Sequence, residues 1–321
     1  MKIACTGSIA FDYLMTFPGY FKEHILPESL NKISLSFLVD SMIRQRGGTA
    51  PNICYTLALL GVPSYLVGTV GEDFSEYRLL LEKAGVDTSF AKKIDGVFTA
   101  SFFANTDLSN AQIASFYTGA MKFATEVSLH SINDPAPDLV VISPNDPAAM
   151  DMYVRECIDL KIPYLYDPGQ QVVRSAPEEL RRGAINAHSL FLNDYEYDLI
   201  RKHTGLTEEE LRSTLDYMVI TRGEDGATIY VGEEEYHIPV VSTETILDPT
   251  GVGDAFRGGF LSGIAHGLDY QTSGQMGALA ATYCLEHRGT QVHYYTVEAF
   301  IKRYEDNFGD SPMLSVLFET N

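Results

Sequence analysis

Nine consecutive residues, Asp248-Pro249-Thr250-Gly251-Val252-Gly253-Asp254-Ala255-Phe256, carry the strongest chemical signal in the chain. Small or apolar residues then recur at Val252, Ala255, Phe256, Gly259, Phe260 and Gly263, which is one face of a helix. The Gly-x-Gly pair therefore opens a tightly packed helix, where free N–H groups with no Cβ beside them form a nest for an anion. A carboxylate at Asp254 would repel an anion that was merely bound. It makes sense if it takes a proton from a hydroxyl attacking a phosphoryl group. On spacing alone, the same residues also fit a glycine-rich turn followed by an ordinary first-turn acid.

Weaker patterns surround this one. Arg46-Gly47-Gly48-Thr49-Ala50-Pro51-Asn52 leads into a helical stretch at 53–60; its glycines allow close backbone approach, and Asn52 offers a donor and an acceptor. Asp12 follows the first strand, where open α/β sheets bind ligands, and an ionised carboxylate can accept from two vicinal hydroxyls. Asn193-Asp194-Tyr195-Glu196 and Thr221-Arg222-Gly223-Glu224-Asp225-Gly226 each follow a buried strand. Taken singly, these read equally well as a helix cap and a polar turn. No G-x-x-x-x-G-K-[ST] loop, H-R-D or D-F-G set, G-x-S-x-G elbow or H-E-x-x-H helix is present, which removes several other chemistries.

Positioning such residues requires a particular scaffold. Short apolar runs at 2–6, 64–70, 138–143, 163–167, 189–193 and 216–221 predict buried strands. Stretches of helical period at 72–84, 147–160, 177–187 and 195–203 separate them, which implies βαβ units, a parallel sheet and helices on both faces. Further helices are expected at 252–267, 271–287 and 296–307. Alternation at Ile33, Leu35, Phe37 and Val39 predicts a half-buried strand, and 97–104 with 112–117 predicts a hairpin. One α/β domain spanning 1–321 is expected, a three-layer α/β/α structure with a mostly parallel central sheet. A small β-sheet lid would come from insertions around 13–45 and 96–119.

Charge and composition restrict the partners. With 43 acidic and 23 basic side chains the formal charge is −20, which disfavours nucleic acid and anionic membranes. The four cysteines form no C-x-x-C pair, so neither a zinc site nor a disulfide framework is expected. Without a signal-like segment or a long apolar span, a soluble cytoplasmic protein is expected.

In their order along the chain, the Gly47-Gly48…Asn52 segment, Asn193-x-x-Glu196, Thr221-x-Gly223-x-x-Gly226 and Asp248 through Asp254 resemble the ribokinase-like family of sugar and nucleoside kinases. Within it the chain is similar to mycobacterial-type bacterial adenosine kinases. That likeness rests on Thr6-Gly7-Ser8-Ile9-Ala10-x-Asp12, Lys32-x-Ser34 through Asp40, Ala111 through Tyr117, Asn145-Asp146-Pro147, Asp167-Pro168-x-Gln170-Gln171, Asn193-Asp194-Tyr195-Glu196 and Asp248 through Arg257.

The resemblance implies ATP-dependent phosphorylation of the 5′-hydroxyl of adenosine or a close purine nucleoside, with a sugar kinase as the alternative acceptor class. It assigns Asp254 as general base and Gly251, Val252 and Gly253 as the transition-state nest. Ser8, Asp12, Gly48 and Asn52 would hold the ribose; Ser36, Gln170 and Gln171 would contact the base, with Phe102 and Phe116 stacked on it. Gly169, where that group often has serine, reads as a small change. Stacking is worth about 1–3 kcal/mol per base, although both rings would equally suit the hairpin's own core. Asn193, Thr221, Gly223, Gly226 and Arg174 would serve the nucleotide, and Asn193 and Glu196 would act on Mg²⁺ mainly through water. A monovalent-cation requirement is left open, and a homodimer formed through the lid is expected.

Overall fold

The computed structural model describes residues 1–25, 34–133 and 135–319. In chain order the strands are β1 (Ile3–Thr6), β2 (Ala10–Thr16), β3 (Ser41–Gly47), β4 (Ser64–Val70), β5 (Val86–Asp87), β6 (Ala91–Lys93), β7 (Ala100–Thr106), β8 (Gln112–Tyr117), β9 (Leu139–Ile142), β10 (Tyr164–Tyr166), β11 (Ser189–Asn193), β12 (Tyr217–Thr221), β13 (Ala227–Val231) and β14 (Glu234–Ile238). The helices are α1 (Phe21–His24), α2 (Thr49–Leu59), α3 (Ser75–Ala84), α4 (Pro147–Leu160), α5 (Pro177–Ile185), α6 (Asp194–Thr204), α7 (Glu208–Thr214), α8 (Val252–Ala265), α9 (Tyr270–Leu285) and α10 (Val297–Phe308).

The apolar runs build the larger sheet. β1, β4, β9 and β10 are buried along their whole length, as strands covered on both faces must be. The order is β14–β13–β12–β11–β10–β9–β1–β4–β5, with β6 added beside β4. Pairing is parallel from β12 to β5, and β13 and β14 run antiparallel at the edge. Side chains alternate between two cores. Ile3, Cys5, Leu139 and Val141 pack with Leu57, Phe260, Leu279 and Phe300; Ala4, Val140 and Ile142 pack with Tyr153, Leu180 and Ile200. This is the expected three-layer α/β/α arrangement. Strand order reverses at β1, and such a switch point parts the loops at the carboxyl ends where open α/β sheets hold ligands.

The second sheet has the order β3–β2–β7–β8. Its register puts Gln45, Asp12, Phe102 and Phe116 in one row across four strands. Directly paired residues share a face, so the next row, Arg44, Tyr13, Phe103 and Ser115, points to the opposite side.

One strand lies elsewhere than the alternation predicts. Residues 34–39 are irregular, and Lys32 and Ile33 lie outside the described residues. The strand is β3, which pairs antiparallel with β2 from Ala10↔Gly47 to Thr16↔Ser41. Pairing with β2 fixes it immediately before Gly47-Gly48, whereas Phe37 serves an aromatic cluster with Phe17 and Phe21. Asp12, read as lying just past the first strand, stands inside β2. The sequence reading also omitted β13, β14 and α7.

Tight helix packing completes the scaffold. α8 is wedged between α2 and α9: a Cβ on Gly258 would stand 2.5 Å from Thr56 Cβ, and one on Gly259 2.7 Å from the Met276 carbonyl oxygen. Among the described residues no helix is long and apolar enough to cross a membrane.

Candidate functional site

The wedge puts the first turn of α8 against the first turn of α2. Gly251 is the N-cap of α8, so Val252, Gly253 and Asp254 are its first three residues. The N–H groups of such a turn have no acceptor within the helix. Asn52, one turn into α2, donates from Nδ2 to Asp254 Oδ2 at 2.8 Å. Asn52 is itself held, because Gln291 Nε2 donates to its Oδ1 at 2.7 Å and to the Tyr77 hydroxyl at 2.5 Å. Tyr77 donates in turn to the Gly47 carbonyl at 3.0 Å. Burial pushes Asp254 up to about 6, with the Arg257 charge and the Asn52 hydrogen bond pulling the other way.

The opposite wall comes from the start of the chain and the small sheet. Ser8 Oγ accepts from the Thr49 N–H at 3.2 Å, fixing the start of α2. Gly48 must lack a side chain, since a Cβ there would lie 2.4 Å from the Ser8 carbonyl oxygen. A Cβ on Gly47 would lie 2.5 Å from Asp12 Oδ2, so this carboxylate lies directly over the Gly-Gly turn. Burial, aided by the like charge of Asp248, pushes Asp12 up to about 6. Phe102 is half-buried and Phe116 is 46% exposed, so neither ring is consumed by a core.

Along the rim, Asn193 and Thr221 are register partners at the ends of β11 and β12. From β1 to β12 there are four strand steps, or about 19 Å at ~4.8 Å each, enough for two small ligands end to end. Gly223 and Gly226 bracket a short turn just beyond. Asn193 and Glu196 form a capping box for α6: Glu196 N–H donates to Asn193 Oδ1 at 2.7 Å and Asn193 N–H to Glu196 Oε2 at 2.8 Å. The helix-cap reading is thus realised, and the second Glu196 oxygen is spare. No group of three or more His, Cys, Asp or Glu that could hold a metal occurs among the described residues. One free carboxylate oxygen fits a cation that keeps most of its water and is held chiefly by ligand phosphates, as Mg²⁺ is. Both Asp248 oxygens accept backbone N–H groups, from Thr250 at 2.9 Å and Gly289 at 3.1 Å.

Some candidates stand apart. Ser36, Gln170 and Arg174 are exposed. Gln171 is 6% exposed, and its Oε1, like Asn145 Nδ2, is buried without a hydrogen-bond partner; buried amide atoms left open in this way suit a polar ligand. Gly169 is not interchangeable with serine here. Its φ is +48°, and a Cβ would stand 2.4 Å from Pro144 Cγ.

Two residues of the site, Asp167 and Arg257, lie in the segments that carry the resemblance but were given no role there. Asp167 follows β10 and is 1% exposed; its Oδ2 meets Arg257 Nε at 2.6 Å. Burial pushes Asp167 up to about 7, with Arg257 opposing and Glu196 and Asp254 adding to the rise. An acid ending an apolar strand, and a base three positions after Asp254 on one helical face, were signals that could have found them.

Comparison with known proteins identifies the family. The family model described as pfkB family carbohydrate kinase matches residues 8–296. The structure of a Burkholderia thailandensis nucleoside kinase in complex with inosine is 37% identical, with a TM-score of 0.85, covering 97% of this chain and 99% of that one. A nucleoside kinase of Methanocaldococcus jannaschii is 28% identical over 311 residues, 95% of this chain and 97% of its own. An adenosine kinase from Sinorhizobium meliloti, 20% identical with a TM-score of 0.71 over 90% of this chain and 95% of that one, shares the fold.

Proposed function

Because this chain belongs to the pfkB family of carbohydrate kinases, we propose that it transfers the terminal phosphoryl group of ATP to the 5′-hydroxyl of a purine nucleoside, adenosine or a close relative, in the cytoplasm. The observation that carries this reading is the row of Asp12, Phe102 and Phe116 across the small sheet. A carboxylate suited to a ribose diol stands beside two rings suited to a base, on the strand face that also lies over Gly47. The nucleoside kinase of Burkholderia, which holds inosine, and that of Methanocaldococcus support a nucleoside acceptor.

In this reading Asp12 accepts from the ribose hydroxyls, Ser8 and Gly48 line the sugar, and Asn52 keeps its remaining N–H for it. Gln171 uses its unpaired oxygen on the base, with Gln170 and Ser36 at the margin. Asp254 takes the proton of the attacking hydroxyl, and the N–H groups of Val252, Gly253 and Asp254 stabilise charge on the phosphoryl oxygens. Thr221, Gly223 and Gly226 accommodate the nucleotide, with Arg174 at its margin. Asn193 and Glu196 orient the water around Mg²⁺, which when bound neutralises phosphate charge. The small sheet closes over the acceptor and keeps competing water out.

Magnesium- and ATP-dependent ADP release with adenosine, inosine, guanosine, cytidine, ribose and fructose tests the reading. Purine nucleosides are expected to be the best acceptors. Ribose or fructose turnover without nucleoside turnover would remove Phe102 and Phe116 from recognition and leave a sugar kinase.

The other face of the small sheet supports a homodimer. Met42, Phe103, Ile113 and Tyr117 all point there by register and are between 37% and 62% exposed, an apolar strip that pairing would cover. Light scattering at micromolar concentration should give twice the chain mass, and Phe103→Glu should give the monomer. A monomeric wild type refutes this.

A further inference from the structure

A line of hydrogen bonds joins the Gly47 carbonyl to the carboxylate of Asp254, and its direction is fixed from both ends. Its links are Tyr77 on α3, Gln291 between α9 and α10, and Asn52 on α2, which are 1%, 4% and 5% exposed. The Gly47 carbonyl can only accept, so the Tyr77 hydroxyl, 3.0 Å away, spends its one hydrogen there. The Tyr77 oxygen must then accept from Gln291 Nε2 at 2.5 Å, and the same nitrogen lies 2.7 Å from the Asn52 amide. Both hydrogens of Gln291 Nε2 are thereby used. Asn52 must therefore turn its oxygen to Gln291 and its nitrogen to Asp254, whose Oδ2 it meets at 2.8 Å.

The opposite order does not close. If Gln291 turned its oxygen inward, Tyr77 would have to abandon the Gly47 carbonyl, and Asn52 would have to set its own oxygen against Asp254. Buried polar groups left without partners are costly, so one order of donors prevails. The backbone of Gln291 is pinned as well. Arg46, on β3, donates from Nη2 to its carbonyl at 3.2 Å, and the Thr290 hydroxyl donates to the Arg46 carbonyl at 2.8 Å. Among the described residues Asp254 Oδ1 accepts no hydrogen bond. Since Oδ2 already faces an amide hydrogen, a proton arriving on this carboxylate is accommodated on Oδ1.

We propose that Gln291 and Tyr77 are positioning residues: they hold the Asn52 amide in the one orientation that engages Asp254 Oδ2, and so reserve Oδ1 for the proton of the attacking hydroxyl. The acceptor's O–H bond breaks, its proton passes to Oδ1, and its oxygen bonds to the phosphorus as the bond to the ADP leaving group breaks. The inference rests on Asp254 as the base of the proposed transfer. Without Gln291 and Tyr77 the Asn52 amide is free to turn over. Its oxygen would then meet Oδ2 acceptor to acceptor, and the bond that steadies the carboxylate would become a repulsion.

Side-chain amide ¹⁵N–¹H NMR of the ligand-free protein tests the order of donors, with the Gln291 resonance assigned through its backbone. Tyr77→Phe, which keeps the ring packed on Phe11 and Phe74, should shift one Nε2 proton of Gln291 upfield, and Asn52→Ala should shift the other. If neither proton moves, Gln291 presents its oxygen and the proposal fails. Turnover of the best acceptor tests the consequence. Gln291→Met should lower kcat at least about tenfold, the effect of losing one hydrogen bond to a charged group, with the KM for magnesium–ATP unchanged. In an Asn52→Ala background the same change should cost less than about twofold, since Gln291 then has no amide to hold. A side chain that merely braced α2 against α3 would cost the same in both backgrounds, and that result overturns the proposal. Should Gln291→Met fail to fold, Tyr77→Phe takes its place in the cycle, with a loss of kcat expected only where Asn52 is present. An acceptor panel without turnover would remove the nucleoside reading, and the amide protons would still decide the order of donors.

Discussion

A carboxyl group pushed up to about 6 by burial accepts protons on the alkaline side of that value and fails below it. The kcat/KM of the wild type should therefore rise through about pH 6 and level off above, provided the acceptor and ATP do not titrate there. Asp254→Asn should lower kcat by at least ~10²-fold with unchanged circular dichroism, since general-base catalysis contributes about 10²–10⁴. Turnover near wild type would exclude Asp254 as the base. At this scale the sequence was legible where chemistry and periodicity coincide: Gly251, Gly253 and Asp254 carry a helical repeat behind them. It was opaque for Gln291, which steadies Asn52 from 239 positions away. Nothing in its neighbours, Thr290 and Val292, hints at that contact, because only the docking of the segment after α9 creates it.

Helices and strands announce themselves by periodicity, and they are displaced when pairing overrides it. The buried parallel strands read cleanly because continuous apolar runs have no competing use. β3 did not, since a partly exposed strand takes its register from β2 rather than from its own alternation. The capping box of α6 realises the helix-cap reading of Asn193 and Glu196, and the proposed nucleotide role can be tested against it. Asn193→Ala removes the acceptor for the Glu196 N–H and should cost about 1 kcal/mol of stability. In the proposed scheme it should also raise the KM for magnesium–ATP, while the KM for the acceptor stays put. Loss of stability with an unchanged nucleotide KM would leave Asn193 a helix cap and nothing more.

For the molecule as a whole, three desolvated acids, Asp167 buried and Asp12 and Asp254 half-buried, set a pH dependence of stability. Asp12 and Asp254 are raised to about 6 and Asp167 to about 7, so each binds its proton more tightly folded than unfolded. Their contribution is complete below the unfolded carboxylate range, near pH 4, and is lost as pH rises through 6 to 7. The Tm of the free protein should fall between pH 5 and 8, and the growing negative charge acts in the same direction. A Tm that climbs over that interval would show that these acids are ionised at little cost. The three-layer fold was plain from the sequence, because helices alternating with buried strands admit few other arrangements. The antiparallel edge at β13 and β14 was less so, its short strands being half polar. Asp254 and its neighbours stand on helices packed to the large sheet, whereas Asp12, Phe102 and Phe116 stand on the small one. In the proposed scheme heredity thus has two separate handles: drift in four short strands can retune which alcohol is accepted, while the proton-handling end stays as it was.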